Sequence, residues 1–274
     1  MSLTVNTNIA SMSAANSLNS TQSSLKNTLA RVSSGLRVTK AADDAAGSAV
    51  AMNLNTTARS GRQANRNAND GISVIQTAES ATKEVLSILD RLRELAVQSG
   101  SDTLEDTERD YIQTETNQLV AEVDRIAESS EFNGISLSNG DTTTLTVQVG
   151  VDGTTNSQID ITLGDLGQSA LSIQSLVLST AAGARTAIGT IDTAMDSVNT
   201  IRSNYGSVQN RLDSSIRNMS TYVESLSSAA SQIVDADYAH ETAEMTRLQV
   251  MQQAGVAALG QAKGINQSVL SLLG

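Results

Sequence analysis

IGTIDTAMDSVNTIRSNYGSVQNRLDSSIRNMSTYVESLSSAASQI, residues 188–233, is the stretch on which the fold turns. It contains no Pro, and its only weak points are Gly189 and Gly206, each tolerable in a helix interior at about 1 kcal/mol. Within it Ile216, Met219, Val223, Leu226, Ala230 and Ile233 step by 3, 4, 3, 4, 3. That alternation sets apolar side chains on one narrow stripe, the seam geometry of a coiled coil. One helix of about 46 residues would run roughly 70 Å. It needs partners along its stripe, because packing supplies most of a helix's stability.

The same spacing recurs outward in both directions. Leu18, Gln22, Leu25, Leu29, Val32 and Leu36 step by 4, 3, 4, 3, 4, with Gln22 as the one polar intruder. Met251, Gly255, Ala258, Ala262, Ile265, Val269 and Leu272 repeat the pattern near the other end. Val85, Leu89, Leu92 and Ala96 carry a shorter version, as do Leu119, Val123 and Ile126. The middle differs. Between Phe132 and Asp165 lie Gly134, Gly140, Gly150, Gly153 and Gly164 among Thr-rich stretches. Leu145, Val147 and Val149 alternate with polar residues, and so do Ile159, Ile161 and Leu163, with Asp152-Gly153 between the two runs. This predicts a β-hairpin. The fold class is therefore mainly α: a long antiparallel helical bundle or coiled coil with a small β-hairpin region at its turning point.

Composition agrees. Of 274 residues none is Cys, Pro or Trp, and aromatics make up 2%. The apolar content is thus Ala, Val, Ile, Leu and Met, which suits narrow seams between helices better than a bulky globular core. The lack of Cys removes disulfides, thiolate catalysis and Cys-based zinc sites together. The net charge is −11 and unevenly spread. Residues 1–70 carry seven basic and three acidic side chains, residues 71–131 five and fourteen, and the remainder six and twelve. An acidic chain is a poor match for nucleic acid, whose phosphates call for clustered Lys and Arg. No apolar run approaches the roughly 20 residues that span a bilayer, and residues 1–15 lack the pattern of a cleavable secretory signal. Val269, Leu270, Leu272 and Leu273 crowd the last six residues. Apolar surface of that kind marks an association surface, unless the two terminal stripes close on each other as ordinary intrachain core.

Several segments are specific enough to resemble a known family. Ser33-Ser34-Gly35-Leu36-Arg37, Ala42-Asp43-Asp44-Ala45-Ala46-Gly47, Arg66-Asn67-Ala68-Asn69-Asp70-Gly71 and Arg93-Glu94-Leu95-Ala96-Val97-Gln98-Ser99 are similar to the N-terminal signature of bacterial flagellins. Phe132-Asn133-Gly134 resembles the family's entry into its β region. Asp235-Ala236-Asp237-Tyr238-Ala239, Gln252-Gln253-Ala254-Gly255 and Ser268-Val269-Leu270-Ser271-Leu272-Leu273 resemble its C-terminal signature. The resemblance implies a structural subunit that assembles head-to-tail into the flagellar filament, with no catalysis and no cofactor. It implies two layers. Residues 1–40 and 235–274 would form an inner coiled coil, called D0 in the family, and residues 41–234 a helical bundle, D1, with a β insert at about 133–170. Outer domains look absent. Leu18, Leu25, Leu29, Val32, Leu36, Met251, Ala258, Ile265, Val269 and Leu272 are the expected inner-core contacts. Gly35 and Gly47 would sit in the segment between layers.

The resemblance also implies partners. They are further copies of the chain, an export chaperone on the C-terminal segment, the filament cap and the hook-junction proteins, and a host Toll-like receptor. Matched residue by residue, the receptor motif becomes Arg91, Leu95 and Glu115, unless Arg91 and Glu115 serve filament packing. Asp90 stands where the family has Gln, which removes an amide donor and adds charge. Export would proceed without a cleaved signal, placing the protein in the extracellular flagellum.

Other chemistry finds little footing. His240-Glu241-Thr242-Ala243-Glu244 begins like a zinc-protease motif, but the chain has one His, and such a site needs a second imidazole. Consecutive Asp43 and Asp44 do not face each other on a helix, so capping or filament contacts suit them better than metal binding. Asn19-Ser20-Thr21 and three similar tripeptides lie in helix-patterned segments and are read as chance matches to the glycosylation pattern. Two other readings stand beside filament subunit: the hook–filament junction protein, which resembles flagellin at both ends, and a chemoreceptor-like signalling coiled coil.

Overall fold

The computed structural model describes residues 7–270. The chain runs through α1 (Ile9–Ser34), α2 (Ala45–Ser99), α3 (Asp106–Ser129), β1 (Glu131–Phe132), β2 (Ile135–Ser136), β3 (Thr144–Gln148), β4 (Gln158–Thr162), α4 (Ala181–Val234) and α5 (Tyr238–Leu270). The Pro-free stretch at 188–233 is one helix, as its periodicity predicts, and it begins seven residues earlier. The chain divides into two compact units, one of residues 1–56 and 225–274, the other of residues 57–224.

In the second unit α2 and α4 run antiparallel. Asn65 bonds Ser220, Glu79 meets Arg202, and Arg93 meets Asp192. Val85, Leu89, Leu92 and Ala96 are wholly buried, together with Val123 of α3 and Ile191 and Val198 of α4. These are positions where the 3-4 stepping places apolar side chains inward. The turn from α2 to α3 is held by Arg109, itself buried, whose guanidinium donates to the carbonyls of Ser99, Ser101 and Leu104. Gln113 does the same for the irregular segment before α4: its amide donates to Leu176 O, and its carbonyl accepts from Leu178 N and Ser179 N. These bonds supply partners that irregular backbone would otherwise lack.

The predicted hairpin is β3–β4, with Leu145 opposite Ile161 and Val147 opposite Ile159. Its buried side chains meet Ile75, Tyr205 and Leu212 in a second core cluster. A smaller hairpin, β1–β2, turns at Asn133-Gly134, both at positive φ (50° and 78°), which is the two-residue turn that Asn-Gly favours.

Candidate assembly surface

In the first unit α1 and α5 pair antiparallel. Asn8 caps α1 by accepting from Ser11 N and also donates to Ala262 O at 2.9 Å. Leu18 lies over Gly255, and Arg31 meets the buried Glu241 at 3.4 Å. At the base, Leu36 bridges Asp235, and Arg37 N donates to Val234 O at 2.7 Å. Gly35 ends α1 in the left-handed conformation, φ 71°, which a residue without Cβ adopts at no steric cost. The next turn is built by the two acidic residues. Asp43 accepts from Thr39 Oγ1, Thr39 N and Lys40 N, and Asp44 accepts from Gly47 N at 2.8 Å. The Thr39 hydroxyl and then the two amides hold the Asp43 carboxyl below its ordinary range. Gly35 thus lies in the connection, whereas Gly47 stands in the first turn of α2.

The seam between α1 and α5 is not the stripe predicted from apolar spacing. On α1 it passes through Leu18, Thr21, Leu25, Thr28 and Val32, of which Thr28 is buried and the others half-buried. Gln22 and Leu29 face away, Leu29 at 54% exposure. On α5 it passes through Glu241, Met245, Leu248, Gln252, Gly255, Leu259 and Ala262, with Met251 and Ala258 exposed. Every seventh residue was legible and the alternate positions were displaced by one. Both threads step by 3 and 4, and a rule that follows apolar residues chose Leu29 over its neighbour Thr28. Ile9, Met12, Val250 and Val256 are also more than half exposed. The pair therefore buries Thr28, Gln252 and Glu241 at least in part and leaves several large apolar side chains outside. Leu36 is half-buried at the bridge to Asp235. Ile265 and Val269 belong to the last turns of α5, and Leu272 falls outside the described residues.

Arg91 and Glu115 are brought together across α2 and α3. The guanidinium donates to Glu115 Oε1 at 2.8 and 3.1 Å and to Glu94 Oε2 at 3.0 Å. Glu115 and then Glu94 hold it above its ordinary pKa. Asp90 is exposed beside them. Leu95 is not on that surface: at 2% exposure it belongs to the core beneath. His240 is exposed. Among the described residues no group of three His, Cys, Asp or Glu side chains is placed to hold a metal ion, and no helix is long and apolar enough to cross a membrane.

Comparison with known proteins gives a consistent picture. The family model for the bacterial flagellin N-terminal helical region matches residues 5–143, and that for the flagellin C-terminal helical region matches residues 188–273. The flagellin of Halalkalibacterium halodurans is 38% identical over 269 residues, covering 98% of this chain and 99% of the relative. The flagellar filament 33 kDa core protein of Treponema phagedenis is 36% identical over 283 residues, with the same coverage. Among solved structures, the crystal structure of Bacillus cereus flagellin aligns at a TM-score of 0.50 and 31% identity, covering 56% of this chain and 88% of that one.

Proposed function

Because the chain belongs to the bacterial flagellin family, and is accordingly a structural subunit of the extracellular flagellar filament rather than an enzyme, we propose that the α1–α5 part of its first unit makes the filament's inner core. The layers are then residues 1–40 with 235–274 inside and residues 41–234 outside. One observation carries this: the α1–α5 pair turns Thr28, Gln252 and Glu241 inward and Leu29, Val250, Met251 and Val256 outward. An isolated pair would gain by the reverse, since burying a large aliphatic side chain contributes about 1.5–3 kcal/mol. The outward side chains recover that contribution when neighbouring copies cover them. Contacts of this heterologous kind, repeated without closure, extend an open helical polymer. Leu29 and Met251 thus face other copies, while Leu18, Leu25 and Val32 hold the pair together. Ala258, Ile265, Val269 and Leu272 complete the same inner-core set.

The finer partners follow as parts of the same reading. The chain leaves through the flagellar type III channel without a cleaved signal peptide, held beforehand by a chaperone on its C-terminal segment, and works with the filament cap and hook-junction proteins. Freedom from disulfides supports passage as an unfolded chain. A host Toll-like receptor engages Arg91 and Glu115, with Leu95 setting the helix packing below them and Asp90 weakening the contact. The test is seeded polymerisation of the purified full chain, followed by electron microscopy. Filaments should form from the full chain and be absent when residues 1–35 and 235–274 are removed; normal filaments from the truncated chain would refute the inner-core assignment.

A further inference from the structure

Ion pairing in the second unit is uneven along its length. Arg91, Arg93, Arg125, Arg185 and Arg202 each have a carboxylate at 3.3 Å or closer. Arg59, Arg62 and Arg66 have no ion pair among the described residues; Arg66 donates to Gln63 Oε1, at 3.1 Å from Nε. All three are exposed, and their spacing of three and four puts them on one face of α2. At the other end of α2, Asp102, Glu105, Asp106, Glu108 and Asp110 are all exposed around the turn into α3. The cation nearest to that turn, Arg109, is buried and spends its donors on backbone carbonyls, with Asp106 3.9 Å away. Among the described residues only Asp102 has an exposed cation as partner there, Arg185 at 2.9 Å.

The two groups lie roughly 55 Å apart along α2 at 1.5 Å per residue. That is several times the screening length of about 8 Å at physiological salt, so one molecule's ends cannot neutralise each other. A second copy can, since every copy presents both. We propose that Arg59, Arg62 and Arg66 of one copy receive the acidic turn at 102–110 of the next. The contact rests on the subunit reading above and specifies which surfaces meet between second units. Its surfaces differ, so each copy added presents a fresh end, as an open polymer requires. Charges of this kind set orientation and encounter rate and exclude wrong pairings.

Two charge-reversed full-length chains test it, R59E/R62E/R66E and D102R/D106R/D110R, the second sparing the Glu105 and Glu108 capping box of α3, each first checked by circular dichroism for native helicity. Each alone should polymerise with a critical concentration raised at least about tenfold, because like charges are now opposed. An equimolar mixture should return to near the native value, since each variant's altered surface complements the other's. The neutral chain R59Q/R62Q/R66Q, which removes the charge with least disturbance, should lose most of the salt dependence of assembly. Polymerisation of R59E/R62E/R66E at the native concentration, or a mixture no better than its components, would overturn the contact while leaving the subunit reading intact. A native chain that never forms filaments would overturn the subunit reading and this contact with it.

Discussion

Tyr205 is wholly buried, and its hydroxyl accepts from Gly164 N at 3.1 Å, tying the end of the hairpin to α4. Burial pushes the phenol above its ordinary pKa, with the Gly164 bond acting the other way. Tyr205→Phe strands that amide, so unfolding by urea should show a loss of about 1–2 kcal/mol with an unchanged m-value. Asp43 gives a prediction in pH. Its carboxyl is held low by Thr39 and Lys40, so its stabilisation of the turn is present above the unfolded value, about 3.9, and is lost as pH falls through the lower folded value. A carboxyl carbon NMR titration should place its midpoint below that of an ordinary aspartate. The two roles differ in how far local pattern reaches. Asp43-Asp44 announced capping in general terms, and the donors Asp43 meets lie three and four residues back, whereas the donor that Tyr205 meets, Gly164 N, is fixed by where the chain returns.

At the level of elements, the 3-4 repeat was enough to identify the helices but not their facing residues. Leu18, Leu25 and Val32 recur every seven residues and lie on the seam under either choice of alternate position. Thr28 against Leu29, and Gln252 against Met251, were decided by the partner helix. Two substitutions separate these faces. Leu248→Ala empties a seam position at 4% exposure and should cost the α1–α5 pair about 2–3 kcal/mol of stability, read as an earlier melting transition by far-ultraviolet circular dichroism. Leu29→Ser with Met251→Ser should leave that transition nearly unchanged and raise the critical concentration for filament growth severalfold. The helical core of α2, α3 and α4 was more legible, because Val85, Leu89, Leu92, Ala96 and Val123 all lie at 0% exposure where their spacing placed them.

For the whole molecule, the expected behaviour is polymerisation that weakens as salt rises, if the contact between Arg59, Arg62 and Arg66 and the 102–110 turn guides assembly. Light scattering across a salt series, at fixed chain concentration, reads this directly. What the sequence by itself determined was the kind of molecule: Pro-free 3-4 repeats admit long helices, alternation around Asp152-Gly153 admits one hairpin, and the flanking motifs specify the family. Tertiary structure alone decided which side of each terminal helix is spent inside the chain. A helix's period lists the residues that share a face, but the choice between neighbouring faces depends on the partner's side chains at the crossing. Those partners, from Asn8 with Ala262 to Leu36 with Asp235, lie some two hundred residues or more away along the chain.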